Sequence, residues 1–223
     1  MSIKLFISAI TKFLLGVILV GVLIFLPAGT LMFPAGWLLM GVLFIPMFGA
    51  GIVMMIKNPD LLKKRLNAKE KLGEQKIIVK LSGLMFILGF IVSGLDFRFG
   101  FLPLPPWVSI VGAVLFLSSY ALYAEVLREN TYLSRTIEVQ ENQKVISTGL
   151  YGIVRHPMYF ATLILFISMP IVLGSVVALP IFLLYPFIIA GRIKSEEKLL
   201  SEELSGYKEY TEKVRYRLIP FIW

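Results

Sequence analysis

Apolar residues run along this chain in long unbroken blocks, and polar residues gather in a few short segments between them. From Phe13 to Ile56 there are 44 consecutive residues without a charged side chain. As helix, at about 1.5 Å rise per residue, that block reaches about 66 Å, twice the ~30 Å of a bilayer core. It predicts two membrane spans, with their turn in the segment 27–34, where two prolines and a glycine interrupt helix. A third span is expected from Ile77 to Leu95, with Lys80 close enough to its end to snorkel. A fourth runs from Trp107 to Glu125, after a Leu-Pro-Leu-Pro-Pro breaker at 102–106. Pro157 to Gly191 gives another 35 uncharged residues, with Gly174 and Ser175 at the middle. Its helical reach of about 52 Å is short for two full crossings, so it predicts a tight hairpin of two short helices.

The fold class that follows is all-α integral membrane. About six transmembrane helices are expected, the last two a short helical hairpin, with a cytosolic C-terminal helix and tail. The chain divides into an N-terminal four-helix transmembrane region, 1–127, and a second region, 128–223, that carries most of the polar chemistry. No internal repeat is visible.

Composition agrees with this pattern: 57% of the 223 residues are hydrophobic, 16% are charged, and the mean hydropathy is +0.83. Soluble domains carry about 25% charged residues. The net charge of +8 raises the question of nucleic acid, but the distribution of the cations answers it differently. Of 22 Lys and Arg, 21 fall in segments assigned to one side of the membrane, and Arg98 alone falls on the other. That is a positive-inside pattern. It places both termini in the cytoplasm, and the partner it implies is the bilayer, with no nucleic acid. The segment 58–66, Asn-Pro-Asp-Leu-Leu-Lys-Lys-Arg-Leu, reads as a short amphipathic helix on the anionic inner leaflet. With no cysteine and a single histidine, disulfide frameworks, cysteine-ligated metals and multi-histidine metal sites are excluded, and no metal is expected.

Transport would call for ionisable groups in mid-membrane, and the predicted spans hold almost none. Polar side chains collect instead in two cytoplasmic segments, 125–159 and 192–223, which flank the hairpin. A hairpin brings its ends together, so Arg155-His156-Pro157 is expected to meet Arg192 and Glu196 at the inner membrane surface. Proline after His156 suits a first helical turn, where unpaired N–H groups favour an anion. Read alone, Arg155 and His156 are equally interfacial anchors, and Tyr159 equally a member of the aromatic belt. Arg192 and Glu196 are four apart and share one helix face. The adjacent carboxylates Glu196 and Glu197 either belong to a solvated helix laced with ion pairs or hold a ligand ammonium beside a guanidinium that holds a carboxylate.

Taken together, RHPMYF at 155–160, the Arg192…Glu196-Glu197 spacing, Gly206-Tyr207-x-x-Tyr210 and the closing Ile219-Pro220-Phe221-Ile222 resemble the isoprenylcysteine carboxyl methyltransferase family. The resemblance covers roughly residues 130–223 and makes 128–223 the methyltransferase core. The chain's shortness is similar to that of prokaryotic-type members, whose substrates need not be prenylated proteins. The family implies an integral-membrane S-adenosylmethionine-dependent methyltransferase with a cytosolic cofactor pocket roofed by the C-terminal helix and tail. Carried over by motif position, Gln143, Val145, Ile146, Tyr151, His156, Pro157, Met158, Tyr159 and Glu196 would bind S-adenosylmethionine. Glu196 would take its ammonium, and aromatic faces would stabilise its sulfonium. Arg192 would be the catalytic and substrate-binding residue, holding a carboxylate without protonating it, with Asn130 also on the substrate.

An ionised carboxylate needs no general base, so orientation would do most of the work. The substrate expected is a lipophilic small molecule or prenylated group entering from the membrane, methylated on an isoprenylcysteine-like carboxyl. Ala161 stands where the family usually has glycine. Glu125, Arg128, Asn130 and Arg135 are candidates for tuning specificity, or simply polar helix-end residues. The alternatives are methylation of an amine or other lipid head group, a sterol-reductase-like protein with a nicotinamide cofactor, and a non-enzymatic membrane scaffold.

Overall fold

In a computed structural model, residues 3–66, 73–133 and 139–223 are described. Arg135 lies outside them. The helices are α1 (Ile3–Ala28), α2 (Pro34–Lys57), α3 (Pro59–Leu66), α4 (Gly73–Phe99), α5 (Pro106–Glu129), α6 (Pro157–Val172), α7 (Leu179–Phe182), α8 (Tyr185–Glu203) and α9 (Tyr207–Lys213), with a 3-10 turn at Gly149–Gly152. Among the described residues there is no strand. The protein is an integral membrane protein, and α1, α2, α4 and α5 are each long and apolar enough to cross a bilayer.

Proline decides where several helices begin. Pro34, Pro106 and Pro157 each stand in a first turn, where the missing N–H costs nothing. The expected breaks at 27–34 and 102–106 are where α1 gives way to α2 and α4 to α5. Several boundaries differ from expectation: α4 starts at Gly73 where Ile77 is expected, and α5 runs on to Glu129 past Glu125. Helix α4 continues past Leu95 to Phe99, so Asp96 and Arg98 belong to its last turn. The second leg of the hairpin is not one helix: α7 stops after four residues and α8 restarts at Tyr185, with Pro180 and Pro186 each in a first turn. Proline fits a helix start and breaks a helix interior. Helix α6, of 16 residues, is about 24 Å long and shorter than a bilayer core.

In lipid, apolar side chains gain little by leaving solvent for a neighbouring helix, so close packing has to hold the bundle. Glycine provides it at two crossings. A Cβ on Gly112 would lie 2.5 Å from the backbone N of Val172, where α5 meets α6. One on Gly94 would lie 2.5 Å from the carbonyl oxygen of Ile24, where α4 meets α1. Phe33, Phe116, Phe182, Ile24 and Leu39 fill the core, while Leu14, Ile18, Leu19 and Val22 on α1 face outward.

One buried carboxylate interrupts this apolar interior. Asp96 accepts from Ser175 Oγ at 2.6 Å and from the Leu102 N–H at 3.3 Å. It thereby fastens the hairpin tip to the end of α4. From that tip α8 runs back beside α6, and the hairpin's two ends meet at the opposite pole of the bundle.

The tight crossing makes a direct test. Gly112→Ala is expected to lower the thermal midpoint in detergent, by about 1–3 kcal/mol of stability, because a backbone atom cannot yield to the new methyl. Gly83→Ala, on α4 with nothing within 4 Å of its added Cβ, is the control and is expected to be neutral or slightly stabilising.

Candidate cofactor and substrate site

The site begins with a buried knot of charge. Arg155 donates from Nε to Glu197 Oε1 at 2.7 Å, and Arg217 donates from Nε to Glu197 Oε2 at 2.7 Å. His156 Nε2 lies 3.2 Å from Glu197 Oε1. Burial by itself would raise the Glu197 pKa, but hydrogen bonds from His156, Arg217 and Arg155 outweigh it and bring it from 4.5 to about 2. An ionised carboxylate can only accept, so the proton of this contact sits on His156 Nε2.

Arg155 also donates through Nη1 to the carbonyls of Val214 at 2.9 Å and Arg215 at 3.2 Å, at the C-terminal end of α9. The backbone N–H groups of Arg155 and His156 donate to the carbonyls of Tyr216 and Arg217, each at 2.9 Å. The start of α6, the polar half of α8 and the C-terminal tail are thus tied at one point. The two adjacent carboxylates take different parts. Glu197 is consumed by the knot, and Glu196 faces a cavity.

Tyr159 links Glu196 to Arg192: its hydroxyl donates to Glu196 Oε2 at 2.6 Å and accepts from Arg192 Nε at 2.9 Å. Arg192 Nη1 also donates to Gln75 Oε1, on α4, at 3.3 Å. The cavity beside this chain holds about 840 Å³ of empty space, counting its open mouth.

Asn130, Gln143, Val145, Ile146, Tyr151, His156, Met158, Tyr159, Arg192 and Glu196 all line it. Of the expected site residues, Pro157 does not: it is fully buried in the first turn of α6 and does not reach the cavity wall. Ala161, a turn further on, is fully buried as well. Glu125 and Arg128 are not brought to the site. They pair with each other on the exposed face of α5, at 2.6 Å.

Lys144, inside the segment 143–146 expected at the cofactor site, and Arg155, expected to meet Arg192 and Glu196, also line the cavity. The sequence reading assigned no site role to Tyr132, Leu133, Leu199, Leu200, Leu204, Tyr207 and Tyr210, which complete the walls. Leu199 and Leu200 follow Glu196 by three and four residues, a helical spacing that places them on its face. Tyr207 and Tyr210 stand in the motif that carried the resemblance, with no signal for their direction.

The rim is held by side-chain bonds. Asn130 Nδ2 donates to the Tyr151 hydroxyl at 3.0 Å, and the Tyr210 hydroxyl donates to the Tyr151 carbonyl at 2.7 Å. Gln140 bonds the Tyr132 carbonyl, and its N–H donates to Gln143 Oε1 at 2.9 Å. Helix α3 reaches this rim from the basic surface, where Lys64 Nζ donates to Gln140 Oε1 at 2.6 Å.

Burial pushes the phenols of Tyr151, Tyr207 and Tyr210 above their usual range, so they stay protonated as donors. The Tyr207 hydroxyl is buried and has no partner among the described residues. Such an orphan on a cavity wall fits a bound acceptor. Carboxylate, guanidinium, phenol and apolar patches together suit a ligand that is cationic and anionic at different points and flat in between.

An integral membrane helical bundle whose hairpin ends and α9 line one polar cavity is the class that fold and site define. Residues 110–202 match the model of the isoprenylcysteine carboxyl methyltransferase (ICMT) family. This is the family whose motifs the sequence resembles, and the matched segment includes RHPMYF and the Arg192…Glu196-Glu197 spacing. The fold is similar to that of the eukaryotic intramembrane Ras methyltransferase ICMT, with a TM-score of 0.55 and 20% identity, over 84% of this chain and 66% of that one. A 91-residue stretch is 28% identical to the Delta(14)-sterol reductase TM7SF2 of Mus musculus, covering 40% of this chain. The chain spans only about a fifth of that relative's length, 22%.

Glu197 sets a pH dependence with a defined sign. Its carboxyl is depressed in the folded state, so its stabilisation is complete above pH 4.5 and is lost as pH falls toward about 2. Over that window the group is expected to remove about 3 kcal/mol of stability, read as a falling thermal midpoint in detergent. Glu197→Gln is expected to flatten that limb and to cost roughly 3–5 kcal/mol at neutral pH, since two arginines lose their counter-charge.

Proposed function

We propose that this protein is an S-adenosylmethionine-dependent methyltransferase that forms a methyl ester on the carboxyl of an isoprenylcysteine-like lipophilic substrate. One observation carries the reading: Glu196 and Arg192, one turn apart on α8, flank the Tyr159 hydroxyl on the cavity wall. A carboxylate and a guanidinium at this spacing match a ligand ammonium on one side and a substrate carboxylate on the other. The family match and the shared fold support the reaction class. In this reading residues 128–223 form the methyltransferase core, and its site and both termini face the cytoplasm.

S-adenosylmethionine, when bound, supplies an electrophilic methyl on a sulfonium. The chain's own residues do the rest. Glu196 holds the ammonium, and Tyr159, hydrogen-bonded to it, fixes its rotamer. Tyr207 offers its spare hydroxyl, and Tyr151, Val145, Ile146 and Leu200 pack the flat part of the cofactor. Arg192 orients the substrate carboxylate and leaves it ionised, because a guanidinium gives up no proton at physiological pH. Neither residue acts as a general base, and none is needed for an anionic nucleophile. Helix α9 walls the cavity through Tyr207 and Tyr210, and the tail, bound through Arg155 and His156, lies outside the lining.

The partial match to a sterol reductase favours a second reading, a nicotinamide-dependent reduction. Glu196 on the cavity wall opposes it, since that carboxylate repels a phosphate and attracts an ammonium.

Cofactor binding to the purified protein in detergent separates the two. S-adenosylmethionine is expected to bind and NADPH not to. Glu196→Gln, which keeps the Tyr159 hydrogen bond but removes the charge, is expected to weaken S-adenosylmethionine by about 10–100-fold. Unchanged affinity in that variant, or binding of NADPH alone, sinks the assignment. Arg192→Ala is expected to abolish turnover of a farnesylcysteine analogue while leaving cofactor affinity within about threefold; a wild type that methylates only amine head groups removes the carboxyl reading.

A further inference from the structure

Gln75 stands in the first turn of α4 and is fully buried, although its neighbours Lys76 and Ile77 are exposed. Burying an amide is unfavourable unless its hydrogen-bonding groups are met. Only half of this one is. Gln75 Oε1 accepts from Arg192 Nη1 at 3.3 Å. A guanidinium only donates, so chemistry fixes the amide with its oxygen toward Arg192 and its nitrogen turned away. Gln75 Nε2 then carries two N–H groups that have no partner among the described residues and no contact with solvent. Native interiors rarely leave such donors unpaired without a functional reason.

The missing partner can be described from its surroundings. It must accept hydrogen bonds, and it sits next to a fixed positive charge. The N and O of one amide are about 2.3 Å apart, so Nε2 lies within about 5.6 Å of Arg192 Nη1. A carboxylate, whose two oxygens have a similar separation, spans donors at that spacing with one oxygen on each.

Position selects which carboxylate. Gln75 is not among the cavity-lining residues; it lies behind Arg192 on α4, whose Ile77, Val79, Leu84 and Leu88 are exposed on the bundle's outer, apolar face. In the carboxyl-methylation reading, a lipophilic substrate that reached Arg192 from this side would bring its polar end to the Gln75 amide.

We propose that Gln75 is a substrate-binding residue, the second donor of the carboxylate site, acting beside Arg192. This rests on the carboxyl-methylation reading and adds to it a residue outside the family-matched segment 110–202. One carboxylate oxygen is held by Arg192 and the other by the Gln75 amide. Nε2 is enclosed in the present state, so its exposure accompanies arrival of the substrate from the lipid side.

The test uses the full-length protein in detergent and N-acetyl-S-farnesylcysteine as the probe, with binding measured on protein saturated with S-adenosylhomocysteine. Gln75→Glu keeps the acceptor for Arg192 and the side chain's shape but replaces the donor amide with a second acceptor. It is expected to weaken the probe at least about tenfold and to raise the KM for it. Cofactor affinity is expected to stay within twofold, and the thermal midpoint to match or exceed that of wild type. Glutamate also pairs with Arg192 and repels the anionic probe, so the neutral Gln75→Leu carries the donor test, and wild-type probe affinity in either variant overturns the proposal. So does an equal loss of cofactor affinity. Gln75→Leu, which removes both groups, is expected to weaken the probe as well and to lower the thermal midpoint. If the wild type forms no methyl ester on any carboxylic probe, the carboxyl reading fails first, in the product analysis, and the role of Gln75 falls with it.

Discussion

The polar end of this protein depends on one buried anion. Glu197 draws together Arg155 from the start of α6, Arg217 from the tail and the His156 ring, and each of those reaches a different part of the structure. A buried carboxylate without cations would protonate or turn out toward water. With three donors it stays ionised, and the segments that supply them are held in register. The hairpin's two ends are adjacent because of chain connectivity. Their register to within one hydrogen bond comes from Glu197, which leaves its neighbour Glu196 pointing into the cavity.

The apolar part contributes position more than chemistry. Where lipid replaces water, helices pack by shape, and Gly112 and Gly94 let α5 approach α6 and α4 approach α1 to backbone contact. Asp96 then pins the far tip of the hairpin through Ser175. A short hairpin clamped at both poles delivers Arg192 and Tyr159 to one level at the bundle's polar end. Neither residue needs a loop to hold it, and sites on helices are held more rigidly than sites on loops.

Most of this architecture was legible in the sequence because uncharged stretches and prolines are local signals. The breaks at 27–34 and 102–106, the α3 helix and the convergence of Arg155–Tyr159 with Arg192–Glu197 all follow from span lengths and from which residues break helices. What escaped was directional or long-range. Residue type and spacing treat Glu196 and Glu197 alike, and only the family resemblance singled out Glu196; one hundred degrees of helix rotation separates a cavity group from a buried ion-pair centre. Glu125 and Arg128 are near Asn130 in sequence, yet the turn of α5 aims them outward, where they pair with each other. Pro157 sits inside the motif but is spent on starting α6. Asp96 reads as a residue beyond a span until α4 is seen to continue past it. Gln75 lies 117 residues from Arg192, and no local pattern relates them.

Among the described residues nearly every buried polar side-chain atom has a partner, and that gives meaning to the few that lack one. Among the described residues the buried orphans are the Tyr207 hydroxyl and the Gln75 amide nitrogen. They lie on different sides of the Arg192–Tyr159–Glu196 chain: Tyr207 on the cavity wall, Gln75 behind Arg192 on the membrane-facing helix. Had the surrounding network been loosely satisfied, two more unpaired atoms would carry no information. Here Arg155, Glu197, Asn130, Tyr151, Tyr210 and Gln140 are all bonded, and a donor left over in such a setting costs stability that the apo protein has no internal means to recover. The proposed reaction needs two ligands that approach from different phases, one from water and one from lipid. In that reading each unpaired donor would meet one of them.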